Sequence, residues 1–324
     1  MTWARSRTFV TAGPTSQQLS QFSGRPAPTP VRVYVGLLSA IDAERRAELA
    51  VDELVRVGAF DRAVLCIVST TGTGWVDKRA VNALEYLYGG DTASVATQYS
   101  YLPSPVSFVF DNDAVEQEGR ILFDRIHERW STLPADRRPK LLLYGESLGS
   151  NGGQAAFTGL DGMRAAVDGA LFAGPPSSNR LWRDLIRRRD RDSWQWSPVF
   201  GGGATVRFAA DERTLYRRLP EAWTGPRVLF LQHATDPVVW WNPNLLLRRP
   251  DWLAQPRGDG VSSSMSWFPI VTFWQVTADL VSANQGRPGY GHRYGDLLAD
   301  GWAAVAPPPG WTPGDTARLR AVLT

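Results

Sequence analysis

The sequence predicts an α/β fold in which a mostly parallel central sheet is covered by helices on both faces. Short, continuously apolar runs alternate with helical patterns along most of the chain. Strands of a parallel sheet are apolar throughout because both of their faces are buried. In addition, one apolar run leads straight into a serine flanked by glycines, and an aspartate and a histidine follow it along the chain. This combination favours an enzymatic domain built on that sheet.

The predicted elements alternate regularly up to about residue 189, after which the pattern weakens. Apolar runs of strand length, bounded by turn residues, indicate strands. They are Val31–Leu38, Ala63–Ser69, Val95–Tyr101, Lys140–Tyr144, Gly169–Ala173 and Arg227–Gln232, with a further short candidate at Thr205–Ala209. Helical periodicity predicts helices between and after them. These are Ala43–Val57, Asp77–Tyr88, Ala114–Trp130, Ser150–Leu160, Asn179–Arg188, Trp267–Val281 and Asp296–Val305.

Residues 1–30 are expected to be an extended lead-in, because residues 11–30 are rich in Ser, Thr, Gln, Gly and Pro. Residues 31–324 are expected to form a single domain. Two stretches with weak periodicity, near 190–226 and 238–270, are expected to be insertions above the carboxyl edge of the sheet. One of them is a candidate lid.

Composition argues against nucleic-acid binding and metal-dependent chemistry. The formal net charge is +3, the only lysines are Lys78 and Lys140, and the arginines are interspersed with similar numbers of acids. A nucleic-acid surface requires basic residues to cluster on one face. Cys66 is the only cysteine, there are three histidines, and no HExxH spacing occurs. We therefore expect no metal, no organic cofactor and no nucleic-acid partner.

No membrane span is expected within this chain. The N-terminal residues carry no apolar segment of the kind found in a signal peptide. The most apolar helical pattern, Trp267–Val281, contains polar residues and is too short to cross a bilayer.

The strongest functional signal is the pentapeptide Gly145-Glu-Ser-Leu-Gly149, which matches G-x-S-x-G and lies between an apolar strand and a helical pattern. A tight strand-to-helix turn forces the central serine into a strained conformation, so the residues two positions away must lack side chains. The turn presents the hydroxyl of Ser147 at the start of the helix, where developing negative charge is stabilised. The pattern predicts Ser147 as a nucleophile, and a glycine-rich structural turn is the alternative.

A serine nucleophile needs a general base, and in the α/β-hydrolase fold the order along the chain is Ser, then Asp or Glu, then His. Asp236 follows a late apolar strand, where this fold places the acid of the triad. His292 lies in a glycine-flanked loop further along and is the predicted base. His233 is the alternative base, although its position at the strand end favours local packing. The sequence thus predicts an α/β-hydrolase fold with a Ser147–His292–Asp236 triad.

Two backbone N–H groups are expected to stabilise the oxyanion of the reaction. One belongs to Leu148, directly after the nucleophile. The second is expected in the glycine-containing loop after an early central strand, where Thr71 and Gly72 are the favoured donors.

The sequence contains 14 tryptophans, and several of them follow Asp236. Aromatic packing in the core or a lid explains such a cluster as well as an apolar trough for an acyl or aryl substrate does. On the second interpretation, Trp75, Trp240 and Trp241 line the substrate pocket.

Two segments resemble a particular family. They are the pentapeptide around Ser147 and the stretch Gln232-His-Ala-Thr-Asp-Pro-Val-Val-Trp-Trp241. It is the actinobacterial α/β-hydrolase family whose members usually carry an N-terminal multi-spanning membrane half. Further matching segments are 32–36, 71–77, 98–103, 145–150, 246–252 and 291–295. The resemblance implies a serine-hydrolase site at Ser147, Asp236 and His292, and it implies no particular substrate. Only the hydrolase half is present here, so localisation stays open: cytoplasmic for a stand-alone chain, membrane-tethered for an excised domain.

We therefore expect a serine hydrolase that acts on a small-molecule or lipid-like acyl substrate of the ester type through an acyl-enzyme. An acyltransferase or cyclase would use the same three residues, and the sequence does not separate it from a hydrolase. A catalytically silent domain that binds a lipid or a partner is the alternative from another class, and the intact Ser, Asp and His argue against it.

Overall fold

The computed structural model describes residues 2–101 and 112–323, which include a seven-stranded sheet. Neighbouring strands of this sheet all pair in parallel, in the order β1-β3-β2-β4-β5-β7-β6. The prediction of a parallel central sheet is therefore confirmed. The strands are β1 Val31–Val35, β2 Val64–Ser69, β3 Thr92–Thr97, β4 Lys140–Glu146, β5 Gly169–Ala173, β6 Val206–Ala209 and β7 Arg227–Leu231.

Helices connect the strands and cover the sheet. They are α1 Thr2–Thr11, α2 Ser16–Ser23, α3 Ala43–Arg56, α4 Lys78–Leu87, α5 Asn112–Ser131, α6 Leu148–Gln154, α7 Leu160–Ala166, α8 Arg180–Arg187, α9 Glu212–Leu215, α10 Pro237–Trp240, α11 Asp251–Ala254, α12 Val271–Val281, α13 Leu298–Val305 and α14 Pro313–Leu323. Shorter 3₁₀ turns occur at 37–39, 59–61, 135–137, 201–203, 243–246 and 295–297. Within the described ranges, no helix is long and apolar enough to cross a membrane.

The N-terminal thirty residues differ from the expected extended lead-in, because they contain α1 and α2. Thr15 and Gln18 form a capping box at the start of α2, and Gly24 ends that helix in the left-handed conformation. Phe9 of α1 and Leu19 of α2 are buried in the core. The helices are thus stabilised by local capping and by burial of two side chains, and the prediction of extended structure there is wrong.

Two other elements are displaced from their predicted positions. Strand β3 occupies Thr92–Thr97 rather than Val95–Tyr101. Its early residues Thr92 and Ser94 are fully buried between β1 and β2 although they are polar. The single helix predicted over Ser150–Leu160 is instead α6 and α7, separated by a turn. Residues 102 and 103 of the family-like segment 98–103 lie outside the described residues.

The alternation of side chains along the central strands divides the core into two apolar layers. Along β4, Leu141 and Leu143 belong to the layer beneath α3, α5 and α8. Leu142 and Tyr144 belong to the layer beneath α4 and α13. The expected covering of both faces is therefore present.

Helix α6 follows the G-x-S-x-G turn and is held against α5 by a close approach of the two backbones. A Cβ on Gly119 of α5 would lie 2.2 Å from the carbonyl oxygen of Gly152 in α6, so only hydrogen fits there. One residue earlier on α5, Glu118 forms a buried ion pair of 2.6 Å with Arg46 of α3. These contacts fix the helix that begins beside Ser147.

We expect Gly119→Ala to destabilise the protein by roughly 1–3 kcal/mol, because the added methyl group must displace backbone atoms. Gly162→Ala in α7 is the matched control, since a Cβ there would lie 3.8 Å from Thr158 Oγ1, an ordinary van der Waals contact. The control should leave stability unchanged or raise it by roughly 0.5–1 kcal/mol through helix propensity. Urea unfolding followed by circular dichroism measures both. Equal stability of the two variants would contradict the close packing of α5 and α6.

Candidate active site

Ser147 lies in a tight turn between β4 and α6, with φ 55° and ψ −130°. Residues with a Cβ rarely adopt a positive φ. A Cβ on Gly145 would lie 2.4 Å from the carbonyl oxygen of Gly149, and a Cβ on Gly149 would lie 2.3 Å from that of Ser69. The N–H of Ser147 donates to the carbonyl of Ala173 at 2.8 Å, which ties the turn to β5. Both glycines of the motif are thus sterically required, and the backbone strain lies at Ser147.

Asp236 follows β7 and is fully buried at the start of α10. Its carboxylate accepts from the Val238 N–H at 2.9 Å, from the Tyr294 hydroxyl at 2.6 Å and from His292 Nδ1 at 2.7 Å. Burial alone would raise the pKa of this carboxyl. The neighbouring His292 and the donated hydrogen bonds outweigh burial and lower it below its ordinary value. Asp236 is therefore an ionised acceptor at neutral pH.

His292 is buried and faces Asp236 with one ring nitrogen. Because an ionised carboxylate can only accept, Nδ1 carries the proton, and Nε2 is left as the basic nitrogen of the neutral ring. Burial lowers the pKa of His292, but the charge and hydrogen bond of Asp236, helped by Glu146, raise it above its ordinary value overall. The side chain is oriented and made more basic by the same contact.

Ser147 and His292 line one cavity of about 370 Å³. The side chain of Ser147 is partly accessible, whereas Nε2 of His292 is buried and has no hydrogen-bond partner among the described residues. No hydrogen bond therefore joins Ser147 Oγ to Nε2 in this structure. Catalytic hydrogen bonds of this kind are often long in ligand-free enzymes and shorten when substrate binds.

His233, the alternative base, contacts the loop that carries His292, and its ring hydrogen-bonds that loop rather than the Asp236 carboxylate. Its Nδ1 lies 2.8 Å from the carbonyl oxygen of Gly291, and its ring stacks on Tyr294 with the centroids 4.3 Å apart. Burial lowers its pKa below the ordinary value. It is not among the residues that line the cavity of Ser147. The geometry favours His292 over His233 as the partner of Asp236.

The predicted oxyanion donors differ in whether their N–H groups are already hydrogen-bonded. The Leu148 N–H is free of a helical partner beside Ser147, whereas the Thr71 N–H already donates within its own loop. Leu148 is the first residue of α6, so its N–H has no acceptor within the helix. The N–H of Thr71 donates to the carbonyl of Trp75 at 3.1 Å. This bond argues against the Thr71 N–H as second donor, although Thr71 does line the cavity. Gly72 is not among the lining residues and stays a prediction.

The three tryptophans predicted for the pocket occupy different places. Trp75 lines the cavity with Ser147 and is 45% exposed. Trp240 is 4% exposed, packs edge-on against Trp182 and does not line the cavity of Ser147, which argues against its prediction as a pocket residue. Trp241 lies outside the cavity lining and packs against the apolar cluster that contains Leu148. Trp240, the last residue of α10, and Trp241, which follows it, therefore have different surroundings.

Charged residues that the sequence analysis did not single out line the cavity of Ser147. Glu146 is buried beside Ser147 and accepts from the Tyr144 hydroxyl at 2.9 Å. Burial, together with the nearby Asp77 carboxylate, raises the pKa of Glu146 to about 7. Asp77 is paired with Arg79 at 2.9 Å, and all three line the cavity. The position of Glu146 inside the motif was a visible signal, whereas Asp77 and Arg79 are brought there only by the fold.

Within residues 2–101 and 112–323, no group of three or more His, Cys, Asp or Glu side chains could hold a metal ion. The cavity of Ser147 is lined by hydroxyl, imidazole, carboxyl and guanidinium groups.

Comparison with known proteins gives a family match over most of the chain. A model of an α/β-hydrolase family matches residues 31–319. The predicted α/β-hydrolase fold is thereby confirmed, while the membrane-spanning half and the actinobacterial origin inferred from the motifs stay predictions. No curated protein matches.

Among solved structures, one match is the signal recognition particle receptor FtsY from Elizabethkingia anophelis in complex with GDP. It is 12% identical over 49% of this chain and 56% of that chain, with a TM-score of 0.14. A TM-score this low does not indicate a shared fold.

The three histidines should titrate in a defined order, because their surroundings differ. We expect His292 to take up its proton above the ordinary value of about 6.5, and His233 and His127, both with lowered pKa values, below it. Asp236→Asn should move the pKa of His292 downward, since burial remains and the carboxylate charge is lost. NMR titration of the imidazole Hε1 signals measures all three.

Asp279→Asn serves as the control, because Asp279 is an exposed carboxyl of α12. It should leave the titration of His292 unchanged. A His292 signal that titrates below that of His233 in the wild type would show that the Asp236 contact does not form in solution.

Proposed function

The chain belongs to an α/β-hydrolase family, and we propose that it is a serine hydrolase that cleaves an ester-type acyl substrate with Ser147, His292 and Asp236. The family match supports an enzyme of the hydrolase type. The observation that carries the assignment is the 2.7 Å contact between His292 Nδ1 and Asp236 Oδ2, in the cavity that also contains the strained Ser147.

In the acylation step, His292 Nε2 takes the proton of the Ser147 hydroxyl while Oγ attacks the carbonyl carbon of the substrate. The imidazolium that forms is stabilised by the ionised Asp236. The negative charge on the carbonyl oxygen is stabilised by the N–H of Leu148 at the start of α6. The carbon–oxygen bond to the alcohol then breaks, and His292 returns its proton to the departing oxygen.

In the deacylation step, water or another nucleophile gives its proton to His292 and attacks the acyl carbon. The bond to Ser147 Oγ breaks, and Oγ regains the proton. When water attacks, the product is a carboxylic acid.

An acyltransferase with the same triad is the second candidate. The observation that favours it is the polar lining of the cavity, where Asp77, Arg79 and Glu146 can hydrogen-bond an acceptor that carries hydroxyl or amine groups. Product analysis after incubation of an ester with and without a polyol or amine acceptor distinguishes the two activities. A transferred acyl product that outcompetes hydrolysis in 55 M water would favour transfer.

Replacement of the nucleophile gives the most direct test. Ser147→Ala should abolish labelling by a fluorophosphonate probe and abolish esterase activity on p-nitrophenyl esters, because the acyl-enzyme can no longer form. His292→Ala should lower kcat by about 10³-fold or more, and Asp236→Asn should also be severe through loss of imidazole orientation. Labelling that persists on another serine would overturn the assignment.

His233→Ala is the matched comparison for His292→Ala, since both remove a buried imidazole. It should lower kcat far less, and its main effect should be on the melting temperature. His127→Ala on α5 is a control that should leave activity unchanged, because His127 does not line the cavity. If His233→Ala were the more damaging change, His292 would not be the base.

A further inference from the structure

A set of large apolar side chains on the segment after β7 is exposed rather than buried. We call this set the apolar face; its members are 51% to 83% exposed. Soluble proteins tolerate scattered exposed apolar residues, but a contiguous set marks an interaction site. The members are Leu247, Phe268, Ile270, Val271, Trp274 and Val281.

Helix α12 organises most of the apolar face. Val271, Trp274 and Val281, with the exposed Ala278 between them, recur at intervals of three and four residues, which places them on one side of the helix. On the opposite side, Thr272 and Val276 are buried. The helix therefore presents an apolar stripe to solvent, whereas the solvent side of an ordinary surface helix is polar.

Ile270 is held at the start of α12 in a conformation that it would not adopt freely. Its φ is 65° and its ψ is −49°, a region that β-branched residues avoid. Its N–H donates to the carbonyl of Leu246 at 3.0 Å, which brings it next to Leu247. The surrounding structure thus keeps a strained apolar side chain 55% exposed, a combination that occurs at binding sites.

The charge around the apolar face is one-sided. Residues 260–278 contain no Asp, Glu, Lys or Arg. On the chain before this stretch, Asp251 and Asp259 are paired with Arg189 and Arg213, each at 2.7 Å. Within the described residues, five arginines of the same segment have no carboxylate partner within ion-pair distance. They are Arg248, Arg249, Arg257, Arg287 and Arg293, and Asp279 is the only other acid within residues 247–293. Arg249, Arg257 and Arg293 donate to backbone carbonyls, and Arg248 and Arg287 are exposed.

The inner side of α12 adjoins the catalytic cavity. Thr277 accepts a hydrogen bond from Trp241 Nε1 at 2.8 Å. Leu280 packs against the cluster that includes Leu148, the residue after the nucleophile. Three residues beyond the end of the helix, Asn284 lines the cavity of Ser147. The helix that carries the apolar face therefore leads, at its C-terminal end, into the lining of that cavity.

We propose that the apolar face docks onto an anionic lipid surface and that the substrate is an amphiphilic acyl ester taken from that surface. The assignment of the substrate rests on the proposed function, whereas the docking does not. Exposed aromatic side chains on a segment whose arginines lack carboxylate partners fit the boundary between lipid tails and anionic headgroups. A second copy of this chain fits less well, because a two-fold interface would bring the same unpaired arginines together.

Vesicle co-sedimentation tests the docking without any turnover, if the protein carries Ser147→Ala. The probe is large unilamellar vesicles of phosphatidylcholine and phosphatidylglycerol in equal amounts, compared with phosphatidylcholine alone. We expect binding to the mixed vesicles and weaker binding to the neutral ones. Adding Trp274→Ser with Val281→Ser should lower the partition coefficient roughly tenfold or more. Leu38→Ser with Ile41→Ser, an exposed apolar pair elsewhere, should leave it unchanged.

The charge contribution is tested in the same assay. Arg248→Gln with Arg287→Gln should lower binding to the mixed vesicles by roughly tenfold and leave binding to the neutral ones unchanged. Arg137→Gln with Arg218→Gln removes the same charge from other exposed positions and should have little effect. Absence of binding, or equal effects of the test and control pairs, would overturn the proposal. So would a dimer in sedimentation velocity that Trp274→Ser dissociates.

Activity measurements separate the docking from the catalytic assignment. With Ser147 intact, the Trp274→Ser and Val281→Ser changes should lower turnover of a vesicle-borne ester more than turnover of dissolved p-nitrophenyl butyrate. Turnover of the dissolved ester without vesicle binding would overturn the docking alone. Vesicle binding without any probe labelling of Ser147 would overturn the proposed function and the substrate class while the docking stands.

Discussion

The steric exclusion of side chains around the turn at Ser147 is the constraint on which the rest of the site depends. The backbone at Gly145 and Gly149 approaches neighbouring carbonyl oxygens so closely that a Cβ would overlap them. Helix α6 can therefore start directly at the end of β4, with its first N–H beside the nucleophile. The same kind of contact between Gly119 and Gly152 presses α6 against α5. The strain at Ser147 is thus maintained by close-packed backbone on several sides, and it does not relax by movement of a single loop.

The irregular segment after α12 is positioned by Thr235 and Asp236, two polar residues that follow β7. The Gly291 N–H donates to Thr235 Oγ1 at 2.9 Å, and the His292 N–H donates to the carbonyl of Ala283 at 2.8 Å. The Asp236 carboxylate then accepts from both His292 and Tyr294. A buried carboxylate with several donors is costly to leave unsatisfied, so it holds the loop that supplies them. The acid of the proposed triad is in this way also the anchor of the base.

Local pattern sufficed to predict the parallel sheet, because continuous apolar runs mark its strands. The roles of Ser147, Asp236 and His292 stay a prediction, and each rests on a short sequence signal beside the residue concerned. The features that were missed depend on contacts between distant segments. Helix α2 is stabilised by burial of Leu19, and Trp240 lies in the core although its neighbour Trp241 does not. Neither of these follows from periodicity or composition, since each depends on which surface a segment meets after folding.

Glu146 links the electrostatics of the cavity to the proposed chemistry. Its carboxyl raises the pKa of His292, and His292 in turn lowers that of Glu146, which burial and Asp77 hold near 7. A proton on His292 therefore favours ionised Glu146, and ionised Glu146 favours a proton on His292. When the imidazole takes up the proton of Ser147, it is stabilised by Asp236 through a direct hydrogen bond and by Glu146 through space. Because the Tyr144 hydroxyl donates to Glu146, this second carboxylate is oriented before the reaction begins, as electrostatic stabilisation of a transition state requires.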